Sequence, residues 1–169
     1  MPGDAMRAEN PRTLSDTLND RRQLAYVLGI AGLLPFVAAT ILLLILGRHN
    51  ALAGPVTEVF TGYSVVVLSF LGGIRWGYAL LPAQEEETPV PARLLAWSVL
   101  PPIVAWATVF ISRPAALAVL LIAYCAQGVW DSFSAHTGGL PRWIAPLRIM
   151  LTVAAAICHA IVFLMAAFS

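Results

Sequence analysis

Five apolar blocks, each about as long as a bilayer is thick, dominate the chain: residues 24–46, 57–80, 94–111, 115–130 and 146–168. A helix needs roughly 20 mostly apolar residues to cross a ~30 Å hydrocarbon core, because each residue rises ~1.5 Å. Lipid offers the backbone no water to bond, so such segments fold as helices that satisfy their own N–H and C=O groups. The expected fold is all-α: a polytopic membrane protein with a bundle of five transmembrane helices over residues 24–168. A polar, partly disordered cytoplasmic tail over residues 1–23 precedes it, with a weak cap at Thr13 and Asp16 that opens a short interfacial helix.

Composition points the same way. Hydrophobic residues make up 59% of the 169 and charged residues 11%, against about 25% charged in an average soluble domain. Too few charges remain to cover a water-facing surface. All ten basic side chains are arginine, a bias of GC-rich genomes, and the net charge is +1. No clustered basic face is present, so nucleic acid is not an expected partner. Cys125 and Cys158 both fall inside apolar blocks without a CxxC or a neighbouring histidine, and read as small hydrophobic filler. The run after Arg21-Arg22 exceeds the ~7–15 residues of a signal-peptide core, so the first block reads as a retained span.

Arginine placement gives an orientation. With the amino terminus inside, Arg7, Arg12, Arg21, Arg22, Arg93, Arg142 and Arg148 lie on the cytoplasmic side, and only Arg48 and Arg113 lie outside. Under the positive-inside rule the topology is N-in and C-out. Trp76, Trp97, Trp130 and Trp143 then gather near the inner interface, where indole rings anchor well.

Within the blocks, Pro35 interrupts the first and Pro101-Pro102 the third. Each proline leaves a carbonyl one turn earlier without its donor. The second block carries Ser69, Gly73 and Gly77 at four-residue spacing, a small-residue stripe that lets another helix approach closely. The loop after it holds Glu85-Glu86-Glu87, a solvated acidic run, and Ser112-Arg113-Pro114 makes a connection so short that the third and fourth blocks form a hairpin. Glu58 opens the second block, where an acidic residue complements the helix dipole.

Arg75 is the only charge set well within a block. Intramembrane ionisable groups are candidate functional residues by default. Arg75 lies about five residues from the inner end, ~8 Å at the usual rise, so it either snorkels to headgroups or pairs with Asp131. A b-type haem needs two histidines at similar depth; His159, His49 and His136 do not offer them, and His159 is expected to bond across helices. No G-x-S-x-G, H-E-x-x-H or Walker element occurs. The expectation is therefore no enzyme, no metal and no cofactor.

The stretch from Tyr63 to Gly77, with its Ser-Phe-Leu-Gly-Gly core at Ser69–Gly73 and Trp76-Gly77, resembles the signature helix of a membrane family. So do Trp130-Asp131, Pro141-Arg142-Trp143 and Pro146-Leu147-Arg148. That family is domain of unknown function 3429 (transmembrane protein 69-like), and the likeness covers residues 22–168. It implies a small multi-pass protein of a proteobacterial inner membrane, or of mitochondria in eukaryotic relatives. It brings no activity, cofactor or catalytic residue.

The functional expectation is an accessory, assembly or interaction subunit of a larger membrane complex. The alternative is a small permease or channel that uses the interrupted third block and Arg75. Helix-packing or interaction roles are expected for Ser69, Gly72, Gly73, Arg75, Trp76, Gly77, Asp131, Arg142, Trp143 and Arg148. The expected partners are the lipid bilayer and other membrane subunits, or a second copy through the second block.

Overall fold

The computed structural model describes residues 14–80, 92–137 and 140–168. The cap at Thr13, the acidic run at 85–87 and Gly138-Gly139 lie outside the described residues. Among these residues six α-helices follow in chain order: α1 (Leu14–Leu46), α2 (Ala53–Ala79), α3 (Ala92–Trp97), α4 (Leu100–Ala107), α5 (Arg113–His136) and α6 (Ile144–Ala167). A 3-10 turn over Thr108–Phe110 completes α4. Among the described residues there is no strand.

Four helices, within α1, α2, α5 and α6, are long and apolar enough to cross a membrane, and α3–α4 supplies a shorter apolar segment over Leu95–Phe110. The protein is thus an all-α, polytopic membrane protein. Helices that are apolar all round belong in lipid or deep in a core. Here the outward residues are themselves apolar: Leu34, Ile45, Val59, Val66, Ile122 and Val129 all face away from the bundle.

Several boundaries differ from those read in the sequence. The first helix begins at Leu14 instead of 24, because exposed polar residues such as Asn19 and Arg22 are compatible with helical turns that extend the span, and among the described residues the expected interfacial helix is continuous with it. The second begins at Ala53, which puts Glu58 beyond the first turn, so it does not cap the dipole. Its carboxylate instead takes a hydrogen bond from Arg113 at 2.6 Å. The fourth runs on to His136, past the expected end at 130.

The third block is broken. Pro101 and Pro102 stand in the first turn of α4, where a missing N–H costs least. The carbonyls of Trp97 and Ser98 therefore have no helical donor. Ser98 is fully buried, the condition under which irregular backbone is tolerated at membrane depth. Gly72 of α2 packs against this break. A Cβ added there would sit 2.8 Å from the Ser98 carbonyl oxygen and 2.6 Å from Pro102 Cδ.

One core runs through the bundle, from Phe36 on α1 through Phe60 and Leu68 on α2 to Leu117, Leu120 and Tyr124 on α5 and Val162 on α6. α5 and α6 form the most extensive helix pair, with Gly128 of α5 seated on Thr152 of α6. Contacts at the two ends fix the alternation of the helices. Glu58 meets Arg113, and Arg48 donates to the Phe168 carbonyl at 3.0 Å, at one end. Arg22 lies over the Trp143 ring at the other.

Gly72→Ala should therefore lower the unfolding midpoint in detergent, by an overpacking cost of ~1–3 kcal/mol. Gly73→Ala, next in sequence, has open space for its Cβ and should leave the midpoint unchanged or raise it. Equal effects at the two positions would contradict the assigned packing of the α3–α4 break.

Candidate functional site: a buried arginine–aspartate cluster beside a membrane cavity

Asp131 occupies the inward face of α5. Gln127 precedes it by one turn and Ser134 follows by one, so the three side chains line up on one stripe. Arg75 reaches across from α2. Its Nε donates to Asp131 Oδ1 at 2.7 Å, and one terminal nitrogen donates to Ser134 Oγ at 3.0 Å. The amide of Gln127 donates to the same Oδ1 at 3.0 Å. The other carboxylate oxygen faces α6, where Arg148 Nε lies 2.7 Å from Oδ2. That contact is an ion pair in distance only, because the Arg148 N–H is not aligned on the oxygen and makes no hydrogen bond.

The cluster is deeply placed: the Arg75 and Asp131 side chains are 9% and 6% exposed, and Arg148 is 12% exposed. The guanidinium carbon of Arg75 also lies 3.9 Å over the ring of Trp130, a cation–π contact that uses the flat face its hydrogen bonds leave free. Two arginines thus share one carboxylate, and the group carries one positive charge in excess.

Next to this cluster lies a cavity of about 450 Å3, walled by α1, α2, α5 and α6. Arg75, Asp131 and Arg148 line one end. Tyr63, Tyr124 and Phe36 line the other. Both hydroxyls at that far end are committed: Tyr63 donates to the Gly32 carbonyl at 2.8 Å and Tyr124 to the Ser64 carbonyl at 2.9 Å. Gly32 sits one residue beyond Ala31, whose carbonyl faces the missing N–H of Pro35, so Tyr63 ties α2 to α1 where the proline disturbs the ladder.

Of the residues singled out in the sequence, the structure brings Arg75, Asp131 and Arg148 together, with Trp143 half-buried on the cavity wall. Gly72 packs on the α3–α4 break. Trp76 and Arg142 are exposed. Gly73 and Gly77 also face away from the bundle, and the Ser69 hydroxyl donates to the Val65 carbonyl of its own helix at 2.8 Å. Gln127, Ser134, Tyr63 and Tyr124 belong to the site although the sequence pattern assigns them no role. The spacing of Gln127, Asp131 and Ser134 was the available signal, but it counts only if the helix continues past Trp130.

His159 departs from expectation. It was expected to bond across helices, yet its Nδ1 donates to the Ala155 carbonyl of its own helix at 2.8 Å. Across the helices it meets the rings of Phe36, Phe60 and Tyr124, at centroid separations of 4.8 to 5.2 Å. Aromatic faces offer no ordinary acceptor or donor, so its buried Nε2 is left without a partner. Among the described residues no group of three metal-type ligands occurs.

Removing one member of a buried pair strands the other's charge, at ~3–5 kcal/mol. Arg75→Ala and Asp131→Ala should each destabilise the protein on that scale in mixed-micelle unfolding. The double variant should cost clearly less than the sum. Additive losses would show that the two groups do not act as a pair.

Comparison with known proteins extends this picture. No solved structure matches the chain. It is 35% identical over 140 residues to transmembrane protein 69 of Xenopus tropicalis, covering 82% of this chain and 53% of that protein. It is 29% identical over 138 residues to transmembrane protein 69 of Mus musculus, covering 82% and 54%. The chain thus spans about half the length of these relatives. The family described as "Protein of unknown function (DUF3429)" matches residues 21–164, a span that includes every member of the arginine–aspartate cluster. On that match the chain belongs to the DUF3429 family of membrane proteins.

Proposed function

We propose that this protein is an accessory or assembly subunit of a larger membrane complex and carries out no catalytic step of its own. The observation that carries this reading is the division of its small residues. Where the fold uses glycine for its own packing, at Gly72 and Gly128, the space is filled by Ser98 and Pro102 or by Thr152. Gly73 and Gly77 are exposed on α2 with nothing within 4 Å of an added Cβ. Ser69 extends the same strip with its hydroxyl satisfied by its own helix. In lipid, close van der Waals approach over small residues is a main source of helix association, and this strip is suited to a helix from another chain.

The permease alternative draws on the broken third segment and on Arg75. Both have internal partners, the break in Gly72 and the arginine in Asp131 and Ser134, so neither favours it. We infer a bacterial inner membrane as the compartment, with the mitochondrial inner membrane as alternative. We also infer an N-in, C-out orientation, from the excess of arginine at the end that holds Arg22, Arg142 and Arg148.

Purification in a gentle detergent should yield a stoichiometric partner, and Gly73→Leu should release it without moving the unfolding midpoint of the isolated protein. A lone chain whose stability responds to a soluble solute would contradict the subunit reading. A periplasm-dependent reporter fused after Ser169 should be active; activity of a cytoplasm-dependent one there would reverse the orientation.

A further inference from the structure

The cavity beside the cluster combines three features that define a ligand. One end is charged and unbalanced: Arg75 and Arg148 face a single carboxylate. Arg75 is held by Asp131, Ser134 and the Trp130 ring. Arg148 is not. Its only polar contact among the described residues is the misaligned approach of Nε to Asp131 Oδ2, so no described residue engages its terminal N–H groups, and its side chain lines the cavity. The opposite end makes no polar demand, since the hydroxyls of Tyr63 and Tyr124 already donate to backbone carbonyls. The wall between them is apolar, with Leu33, Val67, Leu71, Leu147 and Leu151 among its residues.

The third feature is the way in. Three lining residues are also open to the surroundings: Leu28 on α1, and Phe70 and Ile74 on α2. They mark a lateral mouth between α1 and α2, facing hydrocarbon. Beyond it the Tyr63–Gly32 hydrogen bond closes the two helices together. Along α6 the lining runs from Ile144 to Ala155, a depth of ~16 Å at ~1.5 Å per residue. The volume, about 450 Å3, falls in the ~300–1,000 Å3 range of small-molecule sites.

The geometry points to an anionic phospholipid as the occupant. One acyl chain fills the cavity, the second stays in the bilayer through the lateral mouth, and the phosphodiester accepts hydrogen bonds from Arg148. A single negative charge matches the single positive excess. A cation or a zwitterionic headgroup does not neutralise it. The nearby Asp131 carboxylate repels an anion, which keeps the phosphate on the Arg148 side of the cluster and off Arg75. This inference does not rest on the subunit reading, because the cavity and its charged end lie inside the bundle, whereas the Ser69–Gly73–Gly77 strip, flanked by Phe70 and Ile74, is on the outer surface of α2.

The test is native mass spectrometry and thermal unfolding of the full chain from nanodiscs of phosphatidylglycerol, of phosphatidylcholine, or of phosphatidylcholine with oleate. One phosphatidylglycerol should stay bound and raise the midpoint. Arg148→Gln should weaken its retention about tenfold or more, the loss of charge-assisted hydrogen bonds. Gly32→Phe leaves the charged cluster untouched and puts a ring into the cavity, where an added Cβ meets only the Tyr63 hydroxyl at 3.9 Å. It should abolish retention even if Arg148→Gln fails to fold. Equal retention of phosphatidylcholine, retention of oleate in place of phosphatidylglycerol, or full binding by Gly32→Phe would each overturn the proposal.

Discussion

Asp131 holds two arginines at once inside a layer that solvates charge poorly, and the placement of α2, α5 and α6 follows from that. A lone guanidinium at this depth is expensive, and the desolvation cost of a buried pair is recovered only with good geometry and further hydrogen bonds. Here Gln127 and Ser134 supply those bonds and Trp130 covers the guanidinium face. The three helices are thereby fixed in rotation and depth, since a slip of one residue on α5 would swing Asp131 away from α2. Apolar packing alone would not fix them so closely, because lipid is as apolar as the helix surfaces.

Small residues then divide the surface into an inside and an outside. Gly72 admits the broken α3–α4 segment and Gly128 admits α6, so the bundle is tight where its polar backbone is irregular. On the same helix as Gly72, one residue later, Gly73 looks outward. α2 thus presents a filled small-residue face to its own bundle and an unfilled one to the bilayer, with the charged cluster near one end of both.

Much of this was legible in the sequence. Block length identified the membrane and the helical class, because hydrocarbon thickness translates directly into residue number. The Arg75–Asp131 partnership was visible only as one of two readings, pairing or snorkelling, of the one intramembrane charge with an acid at the same face, and the 2.7 Å contact decides for pairing. What escaped were features that depend on boundaries. Ending the fourth helix at Trp130 hid Gln127, Asp131 and Ser134 as one face. Starting the second at Thr57 suggested a dipole role for Glu58, whose partner is Arg113. The position of Arg148 against Asp131 and the partnerless Nε2 of His159 among three rings are products of helix rotation, which hydropathy does not encode.

The central claim is that one carboxylate binds both arginines within the bundle. It is tested most directly by an experimental structure in lipid nanodiscs that resolves the side chains at positions 75, 131 and 148. The account predicts the Asp131 carboxylate lying between the guanidiniums, with Arg75 Nε within hydrogen-bonding distance of one oxygen and Arg148 against the other. Arginines extended toward the headgroups, with Asp131 standing apart from both, would contradict it.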